Sequence, residues 1–99
     1  MIVFTDAVEC VRDIVRSAGI TPARLYFFGS RTRGEAHRGS DLDVAIDAVR
    51  AVTLSEMARL KEALDDSALP YRVDVSDFQQ LDLSFRERAL AGAVVAVID

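Results

Sequence analysis

One cysteine (Cys10), one histidine (His37) and one lysine (Lys61) are all that the 99 residues contain of those types. A lone cysteine cannot close an internal disulfide or build a zinc cluster, and that fits a reducing cytosol. No apolar run approaches the ~18 residues that a membrane helix needs, and the longest candidate, Ala93 to Ile98, is strand-sized. The first stretch, Met1 to Asp13, is acidic and amphipathic and lacks a basic flank, so it does not read as a signal peptide. A cytoplasmic protein without a membrane partner is expected. Positive charge is also in short supply, with 12 Lys plus Arg against 16 Asp plus Glu and a net charge of -4. Proteins held on nucleic acid by phosphate neutralisation show the opposite balance, so no direct nucleic-acid binding is expected.

What is present is globular: 51% hydrophobic and 28% charged residues, in a length that suits one domain spanning 1–99. A chain of this size buries roughly 60 to 70% of its unfolded surface, enough for one core. Asp6 to Ala18 reads as a helix, with Val8, Val11, Ile14 or Val15, and Ala18 on one face, Thr5 or Asp6 as N-cap and Gly19 as stop. After Pro22, the run Leu25-Tyr26-Phe27-Phe28 favours strand. A polar segment, Gly29 to Ser40, leads to a second strand, Asp41 to Asp47. Thr53-x-x-Glu56 is a capping box for a helix that aligns Leu54, Met57, Leu60 and Leu64. Pro70 closes it ahead of a third strand, Tyr71 to Ser76. Ser84-x-x-Glu87 reads as another capping box, Gly92 as that helix's end, and Ala93 to Ile98 as a last strand. The alternation predicts a compact α/β unit, a sheet covered by helices, with short connections that allow mixed strand directions.

The second strand, read with a period of two, points Leu42, Val44 and Ile46 one way and Asp41, Asp43 and Asp47 the other, with Ala45. Asp41 and Asp43 then project side by side, roughly 6 to 7 Å apart. Two such carboxylates repel unless a cation sits between them, and an all-oxygen site suits Mg²⁺. The third strand repeats the pattern, with Asp74 on the face of Arg72 and Ser76. If the two strands are neighbours, Asp74 completes a three-carboxylate cluster able to hold two ions about 3.5 to 4 Å apart, as in-line phosphoryl displacement uses. Solvated strand faces also carry aspartates, so the neighbouring loop matters.

That loop leaves a buried strand at Phe28-Gly29-Ser30. Glycine lets backbone amides approach an anion, and a helix starting at Ser30 would aim its free N–H groups there. Arg31, Arg33 and Arg38 make the segment net positive within an acidic chain, and arginine's fork suits phosphate. Gly29 to Gly34 matches the opening of a P-loop, but Glu35-Ala36 stands where Lys and Ser/Thr are required, and there is no G-x-G-x-x-G. The spacing Gly29-Ser30, ten residues, Asp41-Leu42-Asp43 is expected by chance in roughly one chain in a thousand of this length.

At these residues the sequence resembles the minimal nucleotidyltransferase (MNT) family of the DNA polymerase β superfamily, whose pattern is G-S-x10-D-x-D plus a later Asp. The matching positions are Gly29, Ser30, Asp41 and Asp43, with Asp74 as the third carboxylate, and the resemblance covers nearly the whole chain. It implies a small mixed sheet of about four strands flanked by helices, two Mg²⁺ ions held by Asp41, Asp43 and Asp74, and ATP as substrate. It also implies an antitoxin that adenylylates a tyrosine of a HEPN ribonuclease toxin, forming a hetero-oligomer with it. Gly29 and Ser30 would hold the β- and γ-phosphates, and Arg31 and Arg33 would face the leaving group. Two other readings stand beside this one: neutralisation of the partner by contact with a vestigial nucleotide site, and transfer to a small-molecule hydroxyl. The second of these is disfavoured because the acceptor domain of larger relatives is not expected here, so that an open active face is expected.

Other residues read as structural: His37 as an exposed loop residue, Cys10 as helix packing, and Tyr26 and Tyr71 as sheet packing. Arg86 and Arg88 read as a solvated helix face. Val94, Val95 and Val97 fit a core or an interface equally well.

Overall fold

A computed structural model describes residues 4–28, 42–67, 69, 72–91 and 93–99. Its elements run α1 (Phe4–Ser17), β1 (Ala23–Phe28), β2 (Leu42–Ala48), α2 (Leu54–Asp65), β3 (Val73–Asp77), a 3-10 turn (Phe78–Gln80), α3 (Leu83–Leu90) and β4 (Val94–Ile98). The strands form one sheet in the order β3-β2-β1-β4. β1 runs antiparallel to β2 and β4, whereas β2 and β3 are parallel. The sheet is therefore mixed, as expected, and α2 supplies the crossover that a parallel pair requires.

The two faces of the sheet differ. Ala23, Leu25 and Phe27 of β1, Leu42, Val44 and Ile46 of β2, and Val73 and Val75 of β3 join one apolar cluster with α1 and α2. Helix α1 contributes Ala7, Val11 and Val15, all fully buried, which is the four-residue recurrence of a single helix face. The chain leaves α1 through Gly19 at φ 81°, a left-handed conformation that side chains with a Cβ resist. Thr5 and Asp6 lie inside the helix rather than capping it.

Helix α2 starts as its sequence predicts. Thr53 Oγ1 accepts from the Glu56 N–H at 3.1 Å, and Glu56 Oε1 accepts from the Thr53 N–H at 3.0 Å. Leu60 and Leu64 are buried, but Leu54 is 91% exposed. As the first residue of the helix it precedes the turn that touches the core, and Glu56 takes the buried place at this end instead. The cap of α3 also differs from expectation. Asp82 is the N-cap, its Oδ1 accepting from the Phe85 N–H at 2.8 Å. Ser84 lies within the helix, because the helix already begins after Asp82, two residues earlier.

The opposite sheet face is covered by the 3-10 turn and α3. Phe78 stacks on Tyr26 with ring centroids 4.8 Å apart. Arg86 lies over the Phe78 ring at 5.1 Å and donates to the Gln79 carbonyl at 2.8 Å. Arg86 is therefore a packing residue, not part of a solvated face. The side chain of Arg88, like Tyr71 and Gly92, lies outside the described residues. Cys10 is half-buried on α1, in keeping with helix packing. At the sheet's far edge, Val95 and Val97 of β4 are each 50% exposed. Arg12 of α1 reaches that edge and donates to the Val97 carbonyl at 3.1 Å.

Candidate active site

Strand register places the carboxylates. In the parallel pair, Leu42 aligns with Val73, Asp43 with Asp74 and Val44 with Val75. The valines and Leu42 belong to the core cluster, so alternation turns both aspartates to the other face, on strands about 4.8 Å apart. Phe28, the last residue of β1, aligns with Asp43 from the other side. One row across the sheet therefore reads Asp74, Asp43, Phe28. The next row on that face reads Ser76, Ala45, Tyr26, Val95.

Phe85 of α3 meets Phe28 edge-on, with ring centroids 5.8 Å apart and an interplanar angle of 72°. Together these elements frame a cleft of about 470 Å³ whose lining includes Phe28, Asp43, Asp74, Ser76, Leu81 and Phe85. Its lining thus combines carboxylates with apolar side chains. Asp43 is half-buried and Asp74 exposed. The Arg72 guanidinium lies 3.8 Å from the Asp74 carboxylate, a long, exposed ion pair of the kind worth little to stability.

Of the residues predicted from sequence, Asp43 and Asp74 are brought together as register partners. Gly29, Ser30, Arg31, Arg33, His37, Arg38 and Asp41 lie outside the described residues. Gly29 and Ser30 follow Phe28 directly in the chain, and Asp41 directly precedes Leu42, so each adjoins a residue at or beside the carboxylate row. Among the described residues no three His, Cys, Asp or Glu side chains converge as a metal site. The pair Asp43 and Asp74 fits Mg²⁺ by the chemistry of its donors: hard, anionic oxygens side by side on a rigid sheet. Leu81 and Phe85 are the lining residues that sequence reasoning missed. Both belong to the segment that crosses the polar sheet face, and helix periodicity alone does not say which sheet face a short helix covers.

Comparison with known proteins supplies the family. Residues 12–99 match the family described as "Polymerase beta, Nucleotidyltransferase". The chain belongs to the polymerase β nucleotidyltransferase family. A solved structure described as a minimal nucleotidyltransferase is 31% identical, with a TM-score of 0.72, covering 94% of this chain and 95% of that one. This nucleotidyltransferase chain is thus of the minimal kind. It is also 43% identical over 63 residues to the Haemophilus influenzae protein named "Probable protein adenylyltransferase MntA", a match covering 64% of this chain and 55% of that relative. The chain thus spans about half the length of that relative. A crystal structure of a toxin–antitoxin with AMP-PNP shares the fold at a TM-score of 0.77 and 24% identity, covering 88% of this chain and 69% of that one. No helix among the described residues is long and apolar enough to cross a membrane.

Proposed function

We propose that this nucleotidyltransferase is a Mg²⁺-dependent antitoxin that moves AMP from ATP to a tyrosine hydroxyl of a HEPN ribonuclease toxin. The observation that carries the reading is the alignment of Asp43 with Asp74 on one sheet face, beside the strand whose end leads into Gly29-Ser30. The likeness to an adenylyltransferase in sequence and to a nucleotide-bound antitoxin complex in fold supports the nucleotide and the kind of partner.

Asp41, Asp43 and Asp74 would hold Mg²⁺, with Asp74 on the side of the attacking hydroxyl. When bound, the metal supplies Lewis-acid stabilisation of the phosphoryl oxygens during in-line displacement. Gly29 amides and the Ser30 hydroxyl bind the β- and γ-phosphates, and Arg31 and Arg33 offset charge on the departing pyrophosphate. The tyrosine oxygen forms a bond to the α-phosphorus as the bond to the β-phosphate oxygen breaks. A free phenol has a pKa of about 10, so metal proximity or Asp74 as base would need to help remove its proton.

Intact-mass spectrometry of the proposed HEPN toxin tests the reading, after incubation with the chain, ATP and Mg²⁺. AMP adducts are expected with the wild type and not with the Asp41→Asn/Asp43→Asn double variant. A stable complex without any adduct would favour neutralisation by contact, for which the half-exposed Val95 and Val97 offer an apolar surface.

A further inference from the structure

The sheet ends in two edge strands, β3 and β4, and they are treated differently. Helix α1 lays Arg12 over the β4 edge, where it donates to the Val97 carbonyl at 3.1 Å. On β3 one hydrogen bond assigns the edge groups. The Leu42 N–H donates to the Arg72 carbonyl at 3.0 Å. Arg72, Asp74 and Ser76 therefore turn their backbone groups towards β2, and Val73 and Val75 turn theirs outward. Among the described residues nothing bonds to these outward groups. An edge left in this way is a template for another strand.

Beside that edge runs a groove of about 490 Å³ whose lining includes Leu54, Met57 and Lys61 of α2, Val75 of β3, and Gln80. The three helix residues lie at i, i+3 and i+7, on one face of α2. Leu54 is 91% exposed. Lys61, the chain's one lysine, is exposed and enters no ion pair among the described residues. Because α2 links two parallel strands, it runs back against β3. The Val52 N–H, bonded to the Asp77 carboxylate at 3.4 Å, ties the start of α2 to the end of β3. Leu54 and Met57 thus flank the end of β3, and Lys61 lies towards its start.

We propose that β3 and α2 form a docking groove for an extended segment of a protein partner, one with an apolar residue followed two residues later by a carboxylate. The segment adds to β3 as an antiparallel strand, the stronger pairing per residue, and so runs from Met57 towards Lys61. Met57 and Lys61 stand one helical turn apart, about 6 Å along the axis, and alternate side chains of a strand are spaced about 6.7 Å. The apolar side chain, opposite Val75, packs on Leu54 and Met57, while the carboxylate, opposite Val73, meets the Lys61 ammonium. A docked helix would leave the outward Val73 and Val75 groups unpaired, whereas a strand satisfies them and places alternate side chains in the groove. The added strand lies next to the strand that carries Asp74, so the partner is brought beside the carboxylate row. This docking rests on the β3 edge and does not require transfer chemistry.

The test is fluorescence anisotropy of the full chain, without ATP, with a labelled seven-residue peptide of threonines carrying one leucine and, two residues on, one aspartate. Saturable binding is expected. Lys61→Glu should weaken it about fivefold, and exchanging the peptide's aspartate for lysine should restore it. N-methylation of the leucine removes the N–H that faces Val75 and should weaken binding about tenfold, whereas N-methylation of the next residue, whose N–H faces away, should change it less than about twofold. Leu54→Ala should also weaken binding, and because Leu54 and Lys61 are exposed, both variants should keep the wild-type Tm. Absence of saturable binding, failure of the charge exchange, or equal effects of the two methylations would each overturn the proposal. AMP adducts of the partner test the proposed function separately.

Discussion

The end of the sheet where β2 finishes holds two buried carboxylates, Glu56 and Asp77, and each is answered within the chain. Arg50 grips Glu56 with two hydrogen bonds, at 2.7 and 2.6 Å, and also reaches the Gly19 carbonyl at 3.4 Å. Asp77 accepts from the Val52 and Gln79 N–H groups at 3.4 and 3.0 Å. At the opposite end, Asp43 and Asp74 sit on neighbouring strands facing each other, a like-charge arrangement that an external cation relieves. Asp74 and Asp77 belong to the same short strand, so strand position alone does not separate the two kinds. Glu56 and Asp77 are buried and hold the fold together, whereas Asp43 and Asp74 stand side by side on an open face that a ligand can reach.

The sharpest way to break this contrast is Asp43→Asn. It should lower AMP transfer by about a thousandfold or more and shift Tm little, as an activity assay and a thermal melt would read. At the other end the expectation reverses: Glu56→Gln should lower Tm by several degrees and spare the Mg²⁺ dependence of transfer, because it strips Arg50 of its charged partner. Acid should act on the same clip. The Arg50 hydrogen bonds, with the Thr53 N–H next, hold the Glu56 carboxyl at about 2 against an ordinary 4.5. A lowered native pKa means stability that is present above pH 4.5 and lost as pH falls towards 2. That part of the acid limb should flatten in Glu56→Gln, as equilibrium unfolding across that window would register. Thr53→Ala removes one side of the capping box and should cost about 1 kcal/mol, measurable by denaturant titration. Smallest of all, Arg72→Ala takes a cation from beside Asp74. It should lower the Mg²⁺ needed for half-maximal transfer about twofold, with stability altered by less than about 1 kcal/mol.

Much of the candidate site was legible because strands have a strict period. Alternation along Asp41 to Asp47 and along Tyr71 to Ser76 put Asp43 and Asp74 on polar faces, and a mixed sheet made the two strands neighbours. Thr53 and Glu56 were legible because a capping box is a local device of four residues. Leu54 and Ser84 misled for a related reason. Local patterns fix that a helix begins, but tertiary contact decides which of its first residues turns inward, and α3 already begins after Asp82, two residues before Ser84. Arg86 looked solvated because its partner, the Phe78 ring, comes from a turn that no periodicity announces. The Arg50 clip joins the α1 exit to the start of α2, and nothing local to Arg50 predicts that meeting.

The parallel pairing of β2 with β3 has a consequence for the newly made protein. Asp43 gains its neighbour only after the whole α2 crossover has been synthesised and has closed over the core, and non-local pairings of this kind form slowly. A nascent chain that has completed β1 and β2 carries one half of the carboxylate pair and no working site. Onset of the proposed AMP transfer during synthesis would therefore clock the closing of the crossover, making the nucleotidyltransferase a reporter of its own maturation.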